Sequence, residues 1–290
     1  MTEFRGPPDD RSLSDLLSFG VVNLDKPPGP SAHQVAAWVR DMAGVEQAAH
    51  AGTLDPKVTG CLPTLLGDAT RMAQVFLEGT KEYVSVLELH KPAPSDLDAV
   101  VSEFEADVYQ KPPRKSAVTR RLRSREVYEL DLLEVQDRQA LLRIRCESGT
   151  YVRKLCHDIG LAAGTGAHMG HLRRTATDPF DDATLSTMYD LADALAFAED
   201  GDEGPIRDIV APAERALSHL PHLTVAYSAA EQVAQGAPVY APGVIAAEDA
   251  ERGSLVACVT PDDAAVCLGR LVGDPDAEGG EVVSLERVLV

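Results

Sequence analysis

The sequence of 290 residues predicts an α+β fold followed by a small β-barrel. Three observations predict it: apolar residues recur at helical spacing in some segments, alternate with polar ones in others, and give way from residue 219 onward to short Val-rich runs cut by Gly, Pro and Asp. Val21 and Val22 run into Asp25-Lys26-Pro27-Pro28-Gly29-Pro30, whose prolines and glycine force a loop. A helix follows, with Ser31 and Gln34 as a capping-box pair and Val35, Val39 and Met42 on one face. After the glycine-punctuated stretch from His50 to Gly60, Asp68 is placed to cap a second helix with Ala69, Met72, Ala73 and Phe76 as its buried stripe. Tyr83 to Leu89 reads as a strand. So does Leu141 to Cys146, where Leu142, Ile144 and Cys146 face one side and Arg143 and Arg145 the other. From Tyr151 the period turns helical through Val152, Leu155, Cys156 and Ile159, which puts Arg153 in the first turn. Residues 199 to 205 read as an acidic, solvated loop. Near Ser218 the composition changes, dividing the chain into residues 1–218 and 219–290; the second part holds three arginines, no lysine and eleven acids, and its runs Ser254 to Val259 and Ala264 to Leu268 read as barrel strands.

No run approaches the roughly 18 apolar residues that a membrane-spanning helix needs, and the N-terminus lacks the charged-then-apolar pattern of a secretory signal, so the expected compartment is the cytoplasm. The five cysteines are odd in number and contain no C-x-x-C pair, which predicts reduced, mostly buried thiols. The net charge of -19 argues against a polyanionic partner when taken alone. However, Asp (26) outnumbers Glu (20) and only 7 of 27 basic residues are Lys, a bias resembling cytoplasmic proteins of salt-loving archaea. In such proteins acidity reflects the solvent rather than the ligand. Against that background residues 110 to 125 hold seven basic side chains and no acid. Arg114, Lys115, Arg120, Arg121, Arg123 and Arg125 are therefore candidate phosphate contacts.

The densest group of unusual residues is His50-Ala-Gly-Thr-Leu-Asp-Pro-Lys-Val-Thr-Gly60. Gly52 and Gly60 permit tight backbone, and Pro56 drives Asp55 out of the helical region, so the loop can hold a carboxylate out into a cleft. An Asp before Pro is more often a simple turn-former. A hydrolase with an aspartate nucleophile fails for want of a second acidic motif able to hold magnesium. His168 and His171 have no carboxylate or cysteine at ligand spacing and read as structural, so no metal site is expected.

Four segments in order resemble one family: Asn23 to Ser31; His50 to Gly60 with Gly67-Asp-Ala-Thr-Arg71; Lys81-Glu-Tyr83; and Gly149-Thr-Tyr-Val-Arg153 leading to Gly166-Ala-His-Met169 and Leu172-Arg-Arg-Thr175. They are similar to the TruB-type pseudouridine synthases, and within them to the archaeal relatives of dyskerin, the catalytic subunit of box H/ACA ribonucleoproteins. The resemblance implies a mixed, mainly antiparallel sheet flanked by helices. Gly236-Ala-Pro-Val-Tyr-Ala-Pro-Gly243 is similar to the core motif of a PUA domain, an RNA-binding β-barrel. The resemblance to the TruB-type enzymes also implies Asp55 as nucleophile, Tyr83 as active-site aromatic, Arg153 as partner of the aspartate and Leu172 as an apolar wall, with no cofactor; His50 and Lys26 are candidate substrate-binding residues, His50 having as its alternative a loop histidine bonded to the backbone. A basic partner would favour the ionised form of Asp55, and the tyrosine could stack on the uracil and help move a proton. Because a folded RNA hides its uridines, the target must be extruded, and His50 could stack in the gap. The expected partners are tRNA, rRNA or both, the latter with a box H/ACA guide RNA and small accessory proteins. The alternative is a catalytically silent RNA-binding scaffold.

Overall fold

The computed structural model describes residues 4–112, 119 and 121–290. Among them ten strands form one sheet: β1 (Gly20–Lys26), β2 (Ala48–His50), β3 (Thr59–Leu66), β4 (Lys81–Leu89), β5 (Asp107–Gln110), β6 (Arg123–Gln136), β7 (Gln139–Cys146), β8 (Ala167–Thr177), β9 (Phe180–Asp181) and β10 (Val210–Pro212). Their order in space is β10-β1-β3-β8-β4-β7-β6-β5, with β2 on β3 and β9 on β8. The pairings are antiparallel except that of β3 with β8, which is parallel through Thr59–Arg173 and Gly60–Arg174. The sheet is thus mixed and mainly antiparallel, and two antiparallel halves meet at one short parallel seam.

Local sequence rules place the helices. In Ala32–Ala43 the Ser31 hydroxyl accepts the Gln34 N–H at 3.2 Å, Gln34 Oε1 accepts the Ser31 N–H at 2.9 Å, and Gly44 closes the helix with φ +65°. Val35 and Val39 are buried as expected. Helix Val152–Ala162 buries Val152, Leu155, Cys156 and Ile159, again as the period required. Asp68 caps nothing. Gly67–Met72 is a 3-10 turn followed by a separate short helix, Val75–Glu78, and Asp68 instead pairs with Arg5 and Arg71. The acidic loop is shorter than expected, because Pro205 opens a helix over Gly204–Ile209.

Two apolar clusters pack on the two halves of the sheet, one built on Leu87, Leu142, Ile144 and Ile159, the other on Leu24, Val35, Leu62 and Leu191. The C-terminal strands β11 (His222–Val225), β12 (Val239–Tyr240), β13 (Val244–Ala247), β14 (Leu255–Val259), β15 (Ala265–Leu271) and β16 (Glu281–Val288) form a second, barrel-like sheet around Leu223, Val256, Val266 and Val283. A further cluster joins the two sheets, because Phe19, Leu65 and Phe76 pack with Leu255, Ala257, Leu268 and Leu289. All five cysteines are buried and free. No helix among the described residues is long and apolar enough to cross a membrane.

The junction between the sheets is also clasped by charge. Arg11 donates to both oxygens of Glu214 at 2.8 and 2.7 Å, and Glu214 Oε1 also accepts the Ala265 N–H at 3.1 Å from β15. The Arg11 and Glu214 side chains are 2% and 12% exposed, so salt screens this pair little. Glu214→Gln leaves the guanidinium buried without its acid and is expected to cost about 3 kcal/mol, measured by chemical unfolding in molar salt.

Candidate active site

The loop between β2 and β3 ends at the parallel seam. Leu54 and Val58 are buried and anchor it, while Asp55 between them is exposed. Gly52 and Gly60 have φ of +80° and +98°, and a Cβ on Gly60 would approach the Arg174 carbonyl oxygen to 2.2 Å. Only glycine lets the chain leave the loop and run against β8 there.

Asp55 forms an ion pair with Arg153, in the first turn of the helix that leads from β7 to β8. A cation in that turn opposes the helix dipole, and the aspartate compensates it. Both side chains are about half exposed, at 54% for Arg153 and 51% for Asp55, so the pair faces open space. On the neighbouring strands, Tyr83 of β4 and Leu172 of β8 are half-buried, and each packs against both apolar clusters of the main sheet. Burial pushes the Tyr83 hydroxyl up, opposed by the nearby Arg174 guanidinium, so the phenol is protonated at neutral pH.

Three basic side chains lie buried beneath this surface. Lys26 Nζ donates to the carbonyls of Pro27, Pro56 and Val58 at 2.9, 3.1 and 2.8 Å. Arg174 donates to Cys61 O at 2.7 Å and Ala51 O at 3.0 Å. Lys81 donates to Phe76 O and Gly79 O at 2.8 and 2.9 Å, and burial, aided by Arg174, brings it down to about 7.

Family profiles match four segments of the chain: a DKCLD domain over residues 5–36, the N-terminal domain of TruB family pseudouridylate synthases over 40–96, the C-terminal domain of tRNA pseudouridylate synthase B over 153–218, and a PUA domain over 221–289. A probable tRNA pseudouridine synthase B of Haloarcula marismortui is 69% identical over 99% of this chain and 93% of its own length. That of Halobacterium salinarum is 65% identical over 99% of both. The chain belongs to the TruB family of pseudouridine synthases. Among solved structures, a Cbf5-Nop10-Gar1 complex aligns with TM-score 0.94 and 43% identity over 100% of this chain and 91% of that one. An H/ACA RNP bound to a substrate RNA containing 2′-deoxyuridine aligns with TM-score 0.91 and 41% identity over 100% and 92%.

Within this TruB-family framework the other candidate residues fall in different places. Lys26 is fully buried and all three of its protons go to carbonyls, so it holds the Asp55 loop and has none left for substrate; this corrects the expectation of a substrate contact. His50 is half-buried and meets the ring of His33 edge-on at 4.6 Å, beside a cleft of about 460 Å³ that also takes in Arg40 and Glu46. Its Nδ1 is buried with no hydrogen-bond partner among the described residues. Of the basic block, Arg121 is exposed, Arg123 is half-buried and Arg125 is paired with Glu147 at 2.9 Å. Arg114, Lys115 and Arg120 lie outside the described residues. His168 hydrogen-bonds His90 at 3.1 Å, and no group of three potential metal ligands forms among the described residues. Sequence reasoning missed His33 and Arg174. The second had a signal, since alternation along β8 puts Arg174 on the face of Leu172.

Burial, with the His33 and Arg174 charges, lowers His50 from its ordinary 6.5 to about 4, so its ring is neutral wherever the protein works near neutrality. Between those values the unfolded chain binds a proton that the folded chain does not, so stability is lost as pH falls from 6.5 toward 4. His50→Gln is expected to flatten that part of the stability curve relative to the parent protein, as read by thermal unfolding across the pH range.

Proposed function

We propose that this chain isomerises uridine to pseudouridine in structured RNA, with Asp55 as the nucleophile. The observation that carries the reading is the Asp55–Arg153 ion pair, half exposed, on a loop anchored next to Tyr83 and Leu172. The reaction breaks the bond from ribose C1′ to uracil N1, turns the base and joins C1′ to C5; C5 gives up its proton and N1 takes one, so the product is an isomer. Asp55 acts on C1′, either by trapping the ribose or by assisting elimination of the base. Arg153 orients the carboxylate. Tyr83, with its phenol protonated, stacks on the detached uracil, and Leu172 forms the apolar wall that keeps the ring in place while it turns. The nucleotide is extruded from its helix to reach the site, and the neutral ring of His50 stacks in the space left. Arg121 and Arg123 contact phosphate, as do Arg114, Lys115 and Arg120, whereas Arg125 is held by Glu147. Residues 1–218 act as the catalytic unit and 219–290 as an RNA-binding PUA unit.

We propose two RNA targets. The names of the related proteins favour the TΨC-loop uridine of tRNA, and the structural neighbours, Cbf5 with Nop10 and Gar1, favour uridines selected by an H/ACA guide RNA with small accessory proteins. The protein is incubated in molar salt with a tRNA transcript, and pseudouridine is mapped by carbodiimide treatment and primer extension. A stop in the TΨC loop, abolished by Asp55→Asn, is the expected result for a stand-alone enzyme. A product only after guide RNA and accessory proteins are added identifies the guided subunit. Silence under both conditions overturns the reading in favour of an RNA-binding scaffold.

A further inference from the structure

Arg174 is 1% exposed, and among the described residues no carboxylate lies within ion-pair distance of it. Its charge is met by backbone instead: Nε donates to Cys61 O at 2.7 Å, and Nη2 to Ala51 O at 3.0 Å and Gly52 O at 3.5 Å. Ala51 and Gly52 open the Asp55 loop and Cys61 follows its end, so one side chain grips both ends. Arg174 is also the cross-strand partner of Gly60 on β3 and of Tyr83 on β4. Burying a cation without an acid costs stability, and an aliphatic chain would fill the same space. The guanidinium is explained by what it holds. Its planar fork of five N–H donors can reach carbonyls on diverging sides of one plane, which the compact ammonium of lysine cannot.

We propose that Arg174 is a positioning residue for the isomerisation, fixing both ends of the Asp55 loop and tying that loop to Tyr83, an inference that rests on the pseudouridine synthase reading. It touches neither uridine nor ribose. It sets the separation between the carboxylate that acts on C1′ and the ring that holds the uracil, and an error of about 1 Å there costs on the order of a hundredfold in rate. Lys26 holds the outer limb of the same loop through Pro56 and Val58, which leaves the entry and exit to Arg174.

The test compares the parent protein, Arg174→Lys, Arg174→Met and Asp55→Asn, each as the full chain with its RNA. In Arg174→Met, kcat is expected to fall about a hundredfold while KM for RNA stays within about threefold, and the lysine variant to lie between the two. Amide hydrogen exchange on the free proteins is expected to quicken in residues 51–61 of the Arg174 variants, with β4 and β7 still protected. Unchanged kcat in both variants, a rise in KM with kcat intact, or faster exchange spread over the whole sheet would each overturn the inference. If the methionine variant does not fold, the lysine variant is read by the same criteria. If the parent protein makes no pseudouridine, the functional reading fails, and the exchange data still decide whether Arg174 holds the loop.

Discussion

The working part of this molecule depends on buried cations bonded to backbone carbonyls. The loop that carries Asp55 lies between two strands and has few backbone hydrogen bonds: Ala51 N–H to Pro63 O, Gly52 N–H to His50 O, Val58 N–H to Asp55 O, and Pro56 O receiving the Gly29 N–H. Left alone, a glycine-punctuated segment of this kind would sample many shapes. Lys26 and Arg174 reach it from below and bond carbonyls on its entry, its outer limb and its exit. Carbonyl oxygens have lone pairs to spare, so cations can organise an irregular loop without enclosing an acid that would compete with Asp55 for Arg153.

The same economy of charge governs the surface. Arg143 and Arg145 face solvent from β7 as alternation requires, yet they are paired with Asp131 and Glu129 on β6. Arg125 is paired with Glu147. With a net charge of -19, the described surface is no broad basic platform, and at high ionic strength long-range attraction would be screened within a few ångströms in any case. Recognition of RNA then rests on shape, stacking and short-range hydrogen bonds, which suits a site flanked by histidine rings and a tyrosine. The barrel shares an apolar cluster and the Arg11–Glu214 clasp with the main sheet, so it presents its surface at a fixed angle rather than on a tether.

Much of this was legible in the residues. The Ser31–Gln34 capping box, the alternation along β7 and the helical period after Tyr151 each obey a local rule, and each appears where that rule puts it. The helix Met188–Glu199 obeys one too, since Thr187 and Asp190 form a capping box, but its weakly amphipathic sequence gave no clear apolar face to draw the eye. Asp68 has a capping residue's chemistry and lost the position to ion pairs with Arg5 and Arg71, one of them far off in the chain. Lys26 and Arg174 illustrate the deeper limit. A basic residue inside an RNA-related motif reads naturally as a phosphate contact, and whether it points outward or into a cage of carbonyls is decided by how distant strands pair. The short parallel seam of β3 on β8, which sets that cage, leaves no local trace in the sequence.

The proposed reaction requires an Asp55 loop already shaped for catalysis and a base held between Tyr83 and Leu172. The most direct measurement is a structure of the protein bound to an RNA with 2′-deoxyuridine at the target position. The expected result is a uracil ring between Tyr83 and Leu172, C1′ about 3–3.5 Å from the Asp55 carboxylate, and the carbonyl bonds of Lys26 and Arg174 unchanged from the free protein. A base seated away from Tyr83, or a loop that must release Arg174 before Asp55 can reach the sugar, would contradict it.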